Sequence, residues 1–193
     1  MGRKVVVELC SGHSPVLFTS LQRRISRHAD RGDIYIGVDL NTAPLEFARG
    51  IAGRHEKLAA AMAEGRIRFV NADVRKGIPL PDGFADIVHL HFPNFVDEPH
   101  SGSARDIVNE IRRILKPDGG RVMMSIDERG GVLTDKEALK QTAQNAGFLV
   151  EELRTRRLSR PGTGRGFREP HLTDFAIPPK GTFVLRMKLK KER

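Results

Sequence analysis

Four short segments carry side chains able to do chemistry, and each directly follows a short apolar run. The first, Glu8-Leu9-Cys10-Ser11-Gly12-His13-Ser14-Pro15, has Gly12 at its centre. A missing side chain there lets backbone approach a ligand closely, and a helix starting just beyond offers unpaired amide donors. A plain tight turn would use the same residues. The second is Asp39, which ends the run Ile34–Val38. A carboxylate in that place can accept hydrogen bonds from ribose hydroxyls, or it can cap the next helix. The third, Asn71-Ala72-Asp73, offers a carboxylate to the exocyclic amine of an adenine, or serves as turn chemistry. In the fourth, His91-Phe92-Pro93-Asn94-Phe95, two aromatic rings can stack on a planar base while the imidazole and the amide bond its edge. As ordinary core residues, Phe92 and Phe95 would look the same.

The elements that position these segments follow from the spacing of apolar residues. Val5–Leu9, Ile34–Val38 and Ile67–Val70 are short and rich in β-branched residues, with longer helix-like polar stretches between them, which predicts a βαβαβ series. Phe84–His91 and Arg121–Ile126 extend it. Between them Arg105–Leu115 puts Ile107, Val108, Ile111, Ile114 and Leu115 on one helical face. Ala43–Ala63 reads as helix, whole or split in two, because Gly50 and Gly53 weaken its middle. Asn41 or Thr42 ahead of Pro44 supplies its start. Thr134 opens a further helix that Gly147 ends, Phe148–Leu153 follows as a strand, and Thr182–Leu189 is the last. Arg154–Lys180, between those two strands, has many Arg, Gly and Pro residues and no periodicity, which predicts a basic insertion over 154–180. Alternation of this kind makes an α/β fold, and an open parallel sheet takes its ligands beyond the carboxyl ends of the strands.

A chain of 193 residues fits one domain, spanning 1–193, with a sizeable core. No stretch reaches the roughly 20 apolar residues of a membrane span, and the apolar run near the start is too short for a secretory signal, so a cytoplasmic protein with no membrane partner is expected. Cys10 is the one cysteine, which excludes an intrachain disulfide and a cysteine-based zinc site; no metal is expected. The formal charge of +9 favours a polyanionic partner, RNA foremost, although positive charge also serves solubility.

Taken together, the segments resemble the class I S-adenosylmethionine-dependent methyltransferases. Glu8 to Ser14 stands where that family has an acidic residue followed by spaced glycines, Gly37-Val38-Asp39 where it has the ribose-binding acid, and Asn71-Ala72-Asp73 where it has the adenine-binding acid. Ile114-Leu115-Lys116-Pro117-Asp118-Gly119-Gly120 is similar to the family's turn into the fifth strand. The resemblance implies a Rossmann-like three-layer sandwich around a mostly parallel seven-stranded sheet with an antiparallel last strand. It implies S-adenosylmethionine as cofactor, held by Glu8, Cys10, Gly12, Asp39, Leu40, Asp73, Val74 and His91. Glu8 and Gly12 would lie near the methionine moiety, Asp39 on the ribose, and Asp73 with Val74 on the adenine. His91, Phe92 and Asn94 would face the acceptor as catalytic residues, with Asp127 and Glu128 edging the site. Phe95 would bind substrate, and read from the residues Arg160, Arg165 and Arg168 either bind its phosphates or belong to a solvated loop of no particular role.

Within the class, the motifs look most like the tRNA guanine-N7 methyltransferase group, although Asn94 stands where that group has an acid; amino methyltransferases with an Asp/Asn-Pro-Pro-aromatic motif are a second relation. Cys10 and Ser14 replace glycines and crowd the backbone against the methionine part of the cofactor. Three functions stay open at this point: an RNA methyltransferase, a small-molecule methyltransferase, and a non-catalytic binding module on the same fold.

Overall fold

A computed structural model describes residues 2–9, 25–91, 103–127, 136–153 and 182–190 of the chain. In order these form β1 (Val5–Leu9), the helical residues 25–30 (α1), β2 (Ile34–Asp39), α2 (Thr42–Arg54), α3 (Glu56–Ala63) and β3 (Ile67–Asn71). A single 3-10 turn (Val74–Lys76) follows, then β4 (Ile87–His91), α4 (Ser103–Ile114), β5 (Arg121–Asp127), α5 (Lys136–Asn145), β6 (Phe148–Leu153) and β7 (Thr182–Leu189). The strands make one seven-stranded sheet in the order β3-β2-β1-β4-β5-β7-β6. The first five run parallel, and β7 is antiparallel to both its neighbours, β5 and β6. Strand order reverses between β1 and β4, which is where sheets of this kind take ligands.

Both faces of the sheet are packed, as parallel strands require. On one, Val7, Leu9, Ile36, Val38, Val88, Leu90, Val122 and Met124 meet Ile107, Val108, Ile111 and Ile114 of α4 and Leu139 and Ala143 of α5. On the other, Val6, Tyr35 and Ile67 meet Ile25 of α1, Ala48 and Ala52 of α2, and Leu58 and Ala61 of α3. The helical face read from Arg105–Leu115 is thus the face that α4 buries. Among the described residues no helix is long and apolar enough to cross a membrane.

Three local expectations need adjusting. The stretch Ala43–Ala63 is two helices, but the break falls at His55, whose backbone is extended (φ −107°, ψ 113°), while Gly50 and Gly53 stay inside α2. One extended residue lets the second helix turn Leu58 and Ala61 onto the sheet. The fourth strand begins at Ile87 instead of Phe84. Ala85 makes only an isolated bridge to Leu115, and Asp86 is occupied at the sheet's lower edge, accepting from the Val5 amide (2.7 Å) and the Lys116 ammonium (2.7 Å). The helix expected from Thr134 is described from Lys136 onward, and Thr134 itself lies outside the described residues. Its expected stop is met by Gly147, which adopts φ +89°. The turn into β5 needs glycine at Gly120, because a Cβ there would run into the Lys116 carbonyl oxygen and the Leu115 side chain.

Candidate functional site

Register places the site before any side chain is considered. Leu9 pairs with Val38 and with Leu90, and Val38 pairs with Val70, so β1, β2, β3 and β4 end along one edge of the sheet. The turns beyond β2 and β3 are tied together there. The Ala72 amide donates to the Asp39 carbonyl (3.1 Å), and the Asn71 side-chain amide donates to the carbonyls of Asp39 (3.1 Å) and Leu40 (2.7 Å). The backbone around Asp39 and the turn that carries Asp73 are therefore one piece.

Glu8 is 1% exposed. Burial of a carboxylate costs several kcal/mol unless hydrogen bonds replace its water. Tyr35, wholly buried on the next strand, donates its hydroxyl to Glu8 Oε2 at 2.9 Å. The phenol ring is held on two sides, stacked with His28 (centroids 6.3 Å apart) and edge-on to Phe69 (6.5 Å). Gly37 makes room for this: it lies between Glu8 and Phe69 in register, and a Cβ there would sit 3.1 Å from Phe69 Cδ1. His28 Nδ1 bonds Asp33 Oδ2 (3.0 Å), whose other oxygen accepts from the Lys4 amide (3.0 Å). Burial holds the His28 imidazole below its ordinary pKa, so it is neutral at pH 7, with Nδ1 donating to Asp33.

Asp39 is buried, and its Oδ1 accepts from the Asn41 amide (2.9 Å). The residue that caps α2 is Asn41, so Asp39 sits ahead of the helix and only braces its entry. Leu40, next along, is 57% exposed, an apolar surface at the edge where a flat base would lie. Asp73 is engaged locally. Its Oδ1 accepts from the Arg75 amide (3.0 Å) and Nε (2.9 Å), and its Oδ2 from Arg75 Nη2 (2.8 Å). Those bonds hold the carboxyl below the usual carboxylate range and take three of its roughly four acceptor positions. The turn chemistry foreseen for this segment is thus present, and one position remains for an amine. The Val74 side chain packs into the core beneath α4.

Glu8, Asp39 and Asp73 therefore stand at or just past the carboxyl ends of β1, β2 and β3, along one edge of the sheet. His91 and Asp127 end β4 and β5, where only their backbone is described. Cys10, Gly12, Phe92, Asn94, Phe95, Glu128, Arg160, Arg165 and Arg168 lie outside the described residues. Two participants escaped sequence reasoning. Tyr35 read only as a strand residue. His89 is 4% exposed and pairs in register with Glu8 on one side and Met123 on the other. Its signal was the spacing of two from His91, which puts both positions on one strand face.

A family model described as a methyltransferase domain matches residues 21–123. No curated protein sequence matches the chain. Solved structures with a similar fold include a SAM-dependent methyltransferase from Aquifex aeolicus, 14% identical over 97% of this chain and 82% of that one, with a TM-score of 0.58. The glycopeptide N-methyltransferase MtfA, solved with S-adenosylmethionine, is 14% identical over 97% of this chain and 82% of its own, with a TM-score of 0.61. The antibiotic-resistance methyltransferase Kmr is 20% identical over 98% of this chain and 88% of its own, with a TM-score of 0.58. At such identities the likeness is one of fold. The family match covers more than half of the 193 residues, and on that ground the chain belongs to the methyltransferase-domain family.

Proposed function

We propose that this chain methylates a base nitrogen of RNA, in tRNA or rRNA, in the cytoplasm. S-adenosylmethionine is its cofactor. The observation that carries the reading is the pair of buried carboxylates, Glu8 and Asp39, on neighbouring strand ends, with the Asp73 turn bonded to the Asp39 backbone. Buried acids at a ligand-binding edge have a use when a cationic and hydroxyl-rich molecule covers them. Glu8 suits the ammonium of the methionine part, Asp39 the ribose hydroxyls, Leu40 the adenine face, and Asp73 the exocyclic amine.

When bound, the cofactor supplies a sulfonium methyl that a nucleophile displaces in line. The protein's task is then to hold donor and acceptor at near-attack distance and to keep water away. A base nitrogen such as guanine N7 brings its own lone pair and no proton. No strong general base is needed, which suits the composition of His91, Phe92 and Asn94. Were the acceptor a hydroxyl, His91 would be the base. The charge of +9, with Arg160, Arg165 and Arg168 in the 154–180 segment, favours a phosphate-bearing substrate.

A second reading, a small-molecule methyltransferase, has its own support, since the similar structure of MtfA is that of an enzyme named for a glycopeptide. Incubation with cofactor labelled in the methyl group and with separate RNA, protein and small-molecule fractions tells them apart. Label is expected in RNA, with binding that falls steeply as salt rises. Label confined to the small-molecule fraction overturns the RNA assignment, and no transfer to any fraction by a protein that binds the cofactor favours a non-catalytic module.

A further inference from the structure

The buried cluster under the cofactor edge holds a residue with no place in the proposed transfer. We infer that Tyr35 is a positioning residue: its hydroxyl fixes the Glu8 carboxylate in the rotamer that receives the ammonium of the cofactor's amino-acid part. The inference rests on the cofactor site proposed above.

The geometry is one-sided in a useful way. The hydroxyl reaches Glu8 Oε2 at 2.9 Å from the neighbouring strand, below the edge at which the ligand would arrive. It can therefore orient the carboxylate without touching the ligand. The phenol itself cannot swing away. His28 stacks on it, Phe69 abuts it edge-on, and the missing side chain of Gly37 lets Phe69 lean in to complete that contact. His28 is in turn held by Asp33, which is bonded to the Lys4 amide. The brace thus runs from the amino-terminal side of the sheet through two stacked rings to the acid near its carboxyl edge. Phenylalanine at position 35 would keep both ring contacts, so the hydroxyl is the part of the side chain that serves Glu8. Of the cofactor's parts, the one a carboxylate recognises most strongly is the ammonium, since a charge-assisted hydrogen bond is about twice as strong as a neutral one.

The test uses S-adenosylhomocysteine, which carries that ammonium, and methylthioadenosine, which keeps the adenosine and lacks the amino acid. In Tyr35→Phe the dissociation constant for S-adenosylhomocysteine is expected to rise about tenfold, from loss of a hydrogen bond to a charged group, with methylthioadenosine changed less than about twofold. In a Glu8→Gln background the same substitution should add little. Equal weakening of both ligands, or of neither, overturns the inference. Failure of the wild-type protein to bind either ligand removes the cofactor site itself, and the inference falls with it. A second measurement needs no variant. The chain has one tyrosine and no tryptophan, so emission excited at wavelengths too long for phenylalanine to absorb comes from Tyr35 alone. Saturation with S-adenosylhomocysteine should change that emission and methylthioadenosine should not; an identical response to both overturns the proposal.

Discussion

The two faces of the sheet are built from the same strands and differ in what they bury. Towards α4 and α5 the inward positions are aliphatic or aromatic, from Val7 and Leu9 across to Phe148, Leu185 and Met187. Towards α1, α2 and α3 the same strands present Glu8, Tyr35, Asp39 and His89, with His28 and Asp33 alongside. Glu110, on α4, is the buried acid that stands apart from this division among the described residues. Period-two alternation makes such a separation possible, because one strand can serve two environments with consecutive residues. The aliphatic face supplies most of the packing, and the polar face can carry side chains that cost stability and bind a ligand.

Truncation on the aliphatic face gives the largest effect. Phe148 is fully buried, and Phe148→Ala should lower stability by about 3–5 kcal/mol in urea unfolding. It should leave the ratio of S-adenosylhomocysteine to methylthioadenosine affinity unchanged. A shifted ratio would break the division between the faces. Next comes Glu110, whose carboxylate accepts from the Ile78 amide (2.6 Å) and from Arg113 (2.6 and 2.8 Å). Removing it in Glu110→Ala leaves the Ile78 amide without its acceptor, while Arg113 keeps the Leu80 and Ile78 carbonyls and Asp82, a loss of about 1–3 kcal/mol. Again the ligand ratio should hold, because the acid staples α4 to the segment after the 3-10 turn and faces no cofactor.

The smallest effect belongs to His28 on the polar face and appears only with pH. Burial depresses its pKa below 6.5 in the folded protein, so as pH falls the unfolded chain takes up the proton first. Stability that this group contributes above pH 6.5 is therefore lost as pH drops from there towards the folded-state value. Urea midpoints measured between about pH 7 and pH 5.5 should fall more steeply for the wild type than for His28→Asn. Equal slopes would mean that the imidazole takes up its proton alike in the folded and the unfolded chain.

Those differences also explain what the sequence could and could not convey. The strand runs and the helical face of Arg105–Leu115 are local patterns, and the structure returns them to within a few residues. The place of Asp39 at the end of β2 was legible for the same reason, since the β-branched run stops there. The contact between Asp73 and Arg75 was open to inspection too, two residues apart in a turn. Tyr35 was not, because its partner Glu8 is 27 positions away and the bond exists only once β1 and β2 pair. His89 was hidden by its own strand, where an imidazole at a buried position looks like any other interior residue. Gly37 gave no turn signal, as its purpose is the room it leaves for Phe69.

The place of β7 has a consequence for how the molecule is made. Among the described residues β6 pairs only with β7, and β7 alone joins it to β5. A nascent chain that has emerged only as far as Leu153 can assemble the five parallel strands, while β6 rests on α5 and the core through Phe148 with no strand yet to pair with. The strand that joins β6 to the rest of the sheet is therefore made after both of its neighbours, so their pairing must wait for residues 182–189.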